Sequence, residues 1–283
     1  MPPSQQPTVR KQHLGARLKQ LREEAGVSRE VVAERLGCWN TKIGRIEKGL
    51  SAPRKIDLET MLDLYGVEDS NQREALLSLA RSSRRKGWWQ QYSGVLRRPD
   101  IERIAMEAEA TVILDFETIL VPGLLQTEGY ARALMEGCGL TGDAAEPFVA
   151  VRMARQRILA EEGGPQFIAV LDEAALHRQV GGRKTMAAQL RHLAEINNPP
   201  RVCVQVLPFG IGAHPGIDGP FTVVSHGPPA GLEVVALDHQ DSRLYLEEAE
   251  QVRRYRMTFD HLRATALSSR QSMDLILRLA RDQ

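Results

Sequence analysis

Apolar residues recur every three or four positions in the N-terminal part of the chain, which predicts a run of short amphipathic helices. The first three helices fall within residues 14–53 and are separated at Gly26 and Gly37, and two more follow at 57–65 and 71–81. Gly37 suits the left-handed residue that often ends a helix, so the third helix is expected to cross the second and project its start outward. The inward residues predicted for the first three helices are Leu14, Leu18, Leu21, Val31, Val32, Leu36, Ile43 and Ile46.

The rest of the chain alternates helical stripes with short β-branched runs bounded by glycine and proline, which predicts an α+β domain with a mostly antiparallel sheet. One helix is predicted to start at Asp100 and to continue through a stripe that ends at Val112. Further helices are predicted at 127–135, 147–161, 183–196, 248–263 and 271–281. Strands are predicted at 167–171, 202–207, 221–225, 232–237 and 243–246.

These patterns divide the chain into four segments. Residues 1–8 are expected to be a disordered tail, and 9–80 an all-α domain of five helices. Residues 81–99 are basic and aromatic and are interpreted as a linker, and 100–283 form the α+β domain.

The overall formal charge of +1 conceals an uneven distribution. Residues 1–98 contain 19 Lys and Arg against 11 Asp and Glu, whereas 99–283 contain 18 against 25. Positive charge attracts phosphates, and an acidic second half is repelled by them. The helical domain is therefore the half suited to nucleic acid.

The helical domain resembles the Cro/cI-type, xenobiotic-response-element family of bacterial helix-turn-helix regulators, whose fold is lambda-repressor-like. The resemblance is carried by Leu21-Arg22, by Ala33 with Leu36-Gly37, and by 42–49, which reads KIGRIEKG. It implies double-stranded operator or promoter DNA as partner. A helical protein-interaction module without a DNA role is the alternative.

The same resemblance implies roles for individual residues. Arg22 and Glu47 are expected to form a salt bridge between the first and third helices. The positions that reach base edges in this family are occupied here by Asn40, Thr41 and Arg45. Phosphate contacts are expected from Arg29, Lys42, Ser51, Arg54 and Lys55, with a merely solvated basic surface as the alternative.

Two residues depart from the family pattern. Trp39 stands where the third helix usually begins with a small hydroxyl residue, so its side chain cannot cap the helix, and Asn40 is a candidate for that duty. Gly44 lies inside the third helix, where glycine costs about 1 kcal/mol relative to alanine.

The second half resembles a domain found behind such modules in antitoxin-like, WhiJ-like regulators of actinomycetes. The resemblance includes the loop 121–127, which reads VPGLLQT, and the residues around His214. It implies a small partner protein encoded nearby. Because Leu124 and Leu125 are apolar within a loop, they must be buried in their own domain or by a partner. Leu124, Leu125 and His214 are therefore candidates for an effector or partner surface.

A catalytic or metal-binding function is not expected. His214, His226, Asp238, His239 and Asp241 cluster in the strand-rich segment but match no established ligand spacing, so neither a metal nor a cofactor is predicted. Cys38, Cys138 and Cys203 form no paired motif and are expected to be reduced thiols.

The sequence thus predicts a sequence-specific transcriptional regulator whose C-terminal domain senses a partner protein or a small ligand. The alternative is an antitoxin-type protein that neutralises a small partner and regulates its own operon. Since one module offers few base contacts, a homodimer is expected. No membrane-spanning segment is predicted, and the expected location is the cytoplasm, with the nucleoid when DNA is bound.

Overall fold

The structure is a computed structural model that describes residues 9–82, 88–92, 94–227, 233–238 and 243–283. The tail predicted at 1–8 lies outside the described residues, as does part of the predicted linker. The chain divides into two compact units at residues 90 and 91. Each unit is described by itself below.

Five α-helices form the first unit, as the hydrophobic spacing predicts, in the part of it that the structure describes. Their bounds are α1 Val9–Glu24, α2 Arg29–Arg35, α3 Asn40–Glu47, α4 Lys55–Leu64 and α5 Ser70–Ser82. Ser28 caps α2, because its hydroxyl accepts a hydrogen bond from the Val31 amide at 3.3 Å. Gly37 has a φ of 60°, so the sharp turn between α2 and α3 uses the left-handed conformation expected of it.

The core of this unit is a single apolar cluster drawn from all five helices, and it includes Leu18, Ile43 and Leu62, each fully buried. One inward prediction is wrong: Val31 is 47% exposed, whereas its neighbour Val32 is fully buried. Val32 and Ala33 form the core-facing arc of α2. Consecutive residues of a helix lie about 100° apart, so Val31, on the other side of Val32 from Ala33, falls on the solvent side.

Gly15 lets α1 pack closely against the end of α3. A methyl group at Gly15 would lie 2.4 Å from the carbonyl oxygen of Ile46 and 2.6 Å from that of Glu47. Since real carbon–oxygen contacts are longer than this, any larger residue would push the two helices apart. The approach fixes α3 relative to α1.

The second unit is an α+β domain built on one sheet. Its helices are α6 Arg98–Glu107, α7 Glu128–Gly137, α8 Glu146–Gln156, α9 Glu173–His177, α10 Gly182–Ile196, α11 Ala249–Thr265 and α12 Ser269–Asp282. Its strands are β1 Val112–Glu117, β2 Gln166–Asp172, β3 Val202–Leu207, β4 Phe221–Ser225, β5 Glu233–Asp238 and β6 Arg243–Leu246. The predicted strand at 232–237 is thus found at Glu233–Asp238, and Leu232 lies outside the described residues.

The six described strands have the spatial order β3-β2-β1-β4-β5-β6. The first three are parallel to one another, and β4, β5 and β6 continue the sheet in three antiparallel pairings, so antiparallel pairing predominates as predicted. β1 and β2 are central and nearly fully buried.

β1 was not predicted, because Val112 was assigned to the preceding helical stripe. That helix, α6, in fact ends at Glu107, and a turn separates it from the strand. Thr111, Val112 and Ile113 are β-branched and favour a strand, and β1 pairs with β2 on one side and β4 on the other. Tertiary pairing therefore decides the conformation here.

Successive side chains of β1 lie on opposite faces of the sheet. Leu114 and Phe116 pack in the apolar cluster beneath α11, together with Phe259. Asp115 faces the other side, where it accepts a hydrogen bond from Thr222 at 2.9 Å. Arg103 of α6 also donates to Thr222, at 3.1 Å, so a buried polar network lies on this face.

Candidate nucleic-acid interface

The start of α3 is exposed. Trp39 is the N-cap residue of α3, forms no capping hydrogen bond with its side chain, and is 85% exposed. Asn40, Thr41 and Arg45, the residues expected to reach bases, are all exposed as well. Three polar side chains of different chemistry are thus presented beside one large aromatic ring.

Asn40 does not cap α3. It lies inside the helix, and its side-chain amide donates to the carboxylate of Glu30 in α2. Hydrogen bonds lower the pKa of Glu30, first from its own backbone amide and then from Ser28. The contact holds the Asn40 amide in one orientation, and it competes with any base that Asn40 would read.

Glu47, at the end of α3, is a buried acidic residue with two cationic partners. Its side chain is 1% exposed and accepts hydrogen bonds from two arginines: Arg22 at 2.6 Å and Arg29 at 2.7 Å. Arg22 also donates to the Val27 carbonyl at 2.9 Å. The ion pair implied for Arg22 and Glu47 is therefore present, and Arg29 extends it to α2.

The electrostatics of this cluster agree with its geometry. The hydrogen bond to Glu47 raises the pKa of Arg22 above its ordinary value although burial opposes the shift. The Tyr65 hydroxyl lies buried near the same charges, and burial followed by the charge of Glu47 raises its pKa. The ion pairs of Glu47 with Arg22 and Arg29 thus join the three helices α1, α2 and α3.

Arg29 was expected at a phosphate, but its Nε is committed to Glu47. Its side chain remains 38% exposed, so the guanidinium lies at the boundary between the ion-pair cluster and solvent. Arg29 therefore has a structural role in the ion-pair cluster. A phosphate contact by Arg29 would use a guanidinium that is already bonded to Glu47.

A second cluster forms behind the α3–α4 connection around Asp57, which is buried. Lys42 lies 2.8 Å and Arg54 2.9 Å from its carboxylate. Burial alone would raise the pKa of Asp57, but the hydrogen bonds from Arg54 and Lys42 lower it below the ordinary value. Lys42 and Arg54 are accordingly held in place by α4.

The remaining phosphate candidates are less constrained. Lys55 is exposed and lies 3.6 Å from Glu59 one helical turn later, a pair of little energetic weight. Ser51 is half-buried in the connection after α3.

Sequence reasoning missed the anionic residues that orient these side chains. Glu30 and Asp57 each lie in the first turn of their helices, where acidic residues favour the helix dipole, and that position was the available signal. Gly15 gave no signal beyond being a glycine inside an otherwise regular helical stripe.

In the second unit, Leu124 and Leu125 do not form an exposed surface. They are 2% and 0% exposed, and lie in a 3-10 turn, Gly123–Leu125, buried within their own unit. The prediction that they form a partner surface is wrong. The alternative prediction, burial in their own domain, is what the structure shows.

Three glutamines hold the loop 121–127 in place. Gln126 donates to the Val121 carbonyl, Gln156 to the carbonyls of Gly123 and Gln126, and Gln189 to the Leu125 carbonyl, at distances of 2.7 to 3.0 Å. Gln189 also accepts from the Thr127 amide at 2.7 Å. The loop 121–127 is thus attached to α8 and α10 by side-chain hydrogen bonds.

His214 is largely buried, with a side chain 10% exposed. Its Nδ1 accepts a hydrogen bond from the Gly216 amide at 3.2 Å, and its ring meets Phe116 edge to face at 5.9 Å. A methyl group at Gly216 would lie 2.5 Å from the Phe116 ring. The glycine-rich loop therefore approaches Phe116 closely, and His214, predicted to lie on an effector or partner surface, is largely buried within its own unit.

The candidate metal ligands that the structure describes each have a separate contact. His226 lies 3.2 Å from the Met106 carbonyl, and Asp238 accepts from Arg103 and Arg243. His239 and Asp241 lie outside the described residues. Among the described residues no group of three or more His, Cys, Asp or Glu is arranged to hold a metal ion.

None of the helices in the described ranges is both long and apolar enough to span a membrane. Comparison with protein families gives two matches. A model described as a helix-turn-helix domain matches residues 13–76, and a model described as a domain of unknown function, DUF5753, matches residues 102–278. No curated protein and no solved structure matches the chain.

Proposed function

The chain belongs to the DUF5753 family and carries a helix-turn-helix DNA-binding domain, and we propose on this basis that it is a sequence-specific transcriptional regulator. The observation that carries the proposal is the exposed start of α3. Thr41 and Arg45 are exposed there, and the Glu47 ion pairs hold the helix rigidly from behind. Pre-positioned side chains of this kind suit base edges in a major groove.

The proposal is tested by measuring affinity for the DNA upstream of the chain's own gene and for a scrambled duplex of equal length. Wild-type protein is expected to prefer the upstream DNA, and Arg45→Ala is expected to lose most of that preference. Arg278→Ala, an exposed arginine of α12, is the matched control and should behave as wild type. Equal binding of both duplexes by the wild-type protein would reject the proposal.

A homodimer is part of the proposal, since one small module reads few bases. Two copies should protect paired half-sites whose centres are about 34 Å, or one helical turn, apart, or a multiple of that distance. Sedimentation of the protein with its operator, together with a footprint, measures both the stoichiometry and the spacing.

The second unit is proposed to be a non-catalytic sensor of a small ligand or a partner protein. The separate contacts of His214, His226 and Asp238 support a structural role for these residues. An antitoxin-type role makes a different prediction: a neighbouring gene product would be toxic alone and harmless when co-expressed with this chain. A partner that changes promoter output without toxicity would support the regulator.

A further inference from the structure

A cavity of about 390 Å³ lies within the second unit, between α6, α7 and α8. Its lining combines apolar residues, among them Met135, Leu140 and Phe148, with charged ones. The charged lining residues are Arg97, Asp100, Arg103, Arg152, Arg155 and Arg243. Its volume lies within the range of about 300–1,000 Å³ that small-molecule sites occupy.

Four of the five arginines have a carboxylate partner. Arg103 and Arg155 share Glu107, each at 2.7 Å, and Arg243 lies 3.1 Å from Asp100. Arg97, at the exposed rim, lies 3.7 Å from Asp100. The pairs of Arg103, Arg155 and Arg243 are a sufficient reason for those three side chains to be buried or half-buried, independent of any ligand.

Arg152 differs from the other four. Its Nη1 donates to the amide oxygen of Gln126 at 2.8 Å, and among the described residues it forms no ion pair with a carboxylate. Arg155 lies on the next turn of α8, and a methyl group at Gly123 would lie 3.2 Å from the Arg152 guanidinium and 3.7 Å from that of Arg155. Two cationic groups therefore lie side by side while only one of them has an anionic partner.

The pKa of Arg152 is lowered to about 10, first by burial and then by repulsion from Arg155. Glu117 is within electrostatic reach, but burial and the charge of Asp115 raise its own pKa, so in neutral solution it is held largely protonated and cancels little of this charge. The charge of Glu107 acts in the opposite direction, but its carboxylate is hydrogen-bonded to Arg103 and Arg155. Arg152 therefore lines the cavity as a cation that has no carboxylate partner of its own among the described residues.

We propose that this cavity binds a small amphipathic anion, with a carboxylate or phosphate head against Arg152 and Arg155 and an apolar body against Met135, Leu140 and Phe148. Guanidinium groups bind both kinds of head in a bidentate manner. The inference rests on the proposed role of the second unit as a sensor and specifies what it senses. Residues 95–97, which belong to the second unit, also line the cavity.

The test is isothermal titration calorimetry of the full chain with four probes of equal chain length: octanoate, octyl phosphate, octanol and octylammonium. At least one anion is expected to bind about tenfold or more tightly than octanol, and octylammonium not to bind. The preferred anion identifies the head group. Equal affinity for octanol and both anions, or no binding of either anion, would overturn the proposal.

Variants locate the site. Arg152→Met is expected to weaken binding of the preferred anion by about tenfold or more, because a buried charge pair loses one partner. Arg152→Lys retains the charge but not the bidentate geometry, so its affinity should lie between those of the wild type and Arg152→Met. Arg191→Met removes an exposed arginine of α10 and should leave affinity unchanged. Anion binding that survives Arg152→Met would contradict the assignment.

Leu140→Trp provides a second check should Arg152→Met fail to fold. It fills the cavity with a larger apolar side chain, without altering any charge, and is expected to weaken all probes alike. DNA affinity is measured in parallel without any probe. A chain that binds its upstream DNA but no anion would overturn this inference alone, whereas one that binds anions but shows no DNA preference would overturn the proposed function alone.

Discussion

Glu47 illustrates how a single buried carboxylate organises the helix α3. It is held by Arg22 from α1 and by Arg29 at the start of α2, so three helices meet at two carboxylate oxygens. The exposed start of α3 depends on this anchor at the opposite end of the helix. The energetic consequence is greater than for a surface pair, because loss of Glu47 would leave two guanidiniums without their partner.

Glu47→Ala is therefore expected to destabilise the first unit by roughly 3–5 kcal/mol. Native-state hydrogen exchange of the α1 and α3 amides measures this loss for the unit itself. Glu59→Ala, which removes the partner of exposed Lys55, is the control and should change stability by less than about 0.5 kcal/mol. Equal protection in the two variants would contradict the role assigned to Glu47.

Alanine substitution of Arg45 and of Arg29 should affect DNA binding in different ways. Arg45→Ala should relax base preference at one operator position, at a cost of about 1–3 kcal/mol in discrimination, because the side chain is exposed on α3. Arg29→Ala should weaken binding to all sequences, flatten the salt dependence and also lower stability, since it removes a partner of Glu47. Binding isotherms on specific and random duplexes at several salt concentrations separate the two. Equal losses on both duplexes from Arg45→Ala would count against base contact.

At the scale of the element, α3 carries a glycine that nothing in its packing requires. A methyl group at Gly44 would meet no atom of the described residues within 4 Å, and its backbone is helical. The glycine therefore weakens a helix of eight residues without allowing any close approach, in contrast to Gly15 in α1.

Gly44→Ala is expected to stabilise the first unit by about 1 kcal/mol. Thermal unfolding or hydrogen exchange of α3 measures the change. Gly15→Ala is the contrasting variant and should destabilise, because its methyl group would collide with the Ile46 carbonyl. A loss of stability in Gly44→Ala would indicate that the space beside α3 is occupied.

Strand β1 makes the second unit sensitive to pH. Burial raises the pKa of Asp115, and burial together with the charge of Asp115 raises that of Glu117. A carboxyl whose pKa is raised by folding binds its proton more tightly in the native state, so its contribution to stability is present below its unfolded pKa and declines as pH rises.

The stability of the second unit should accordingly fall between pH 5 and pH 8, and Glu117→Gln should reduce that fall. Urea unfolding followed by circular dichroism at the two pH values gives the comparison. Glu136→Gln, an exposed residue of α7, is the control. An identical fall in wild type and Glu117→Gln would show that Glu117 does not titrate as its burial implies.

An element can be predicted from the sequence when contacts local in the chain stabilise it, and cannot when contacts distant in the chain do. The helices of the first unit are predictable because Leu14, Leu18 and Ile43 repeat at helical spacing and pack locally. β1 is not, since Val112 satisfies a helical stripe and only its pairing with Gln166 and Ser225 selects the strand. The burial of Leu124 depends likewise on Gln156 and Gln189, which are distant in sequence.

At the scale of the whole molecule, charge is segregated between the two halves. The first 98 residues have an excess of basic residues and the remainder an excess of acidic ones, while the total is near zero. Net charge governs non-specific attraction to DNA, and salt screens it. The acidic half should therefore limit binding to random sequence.

A fragment of residues 1–98 is expected to bind random duplex more tightly than the full chain at low salt, and the difference should shrink as salt is added. Fluorescence anisotropy on labelled duplex over a salt series measures both affinities. Equal affinities at low salt would mean that the acidic half has no influence on the approach to DNA.

The exposure of Trp39 gives this protein an intrinsic optical reporter. An indole ring that is 85% exposed at the start of α3 emits in a fully aqueous environment, and a duplex seated against that helix would dehydrate it. Operator engagement should therefore shift and quench tryptophan emission without any dye. Stopped-flow mixing could then follow the encounter in real time. A Trp39→Phe chain retains the emission of Trp88 and Trp89 but should lose this change on binding while still occupying its site.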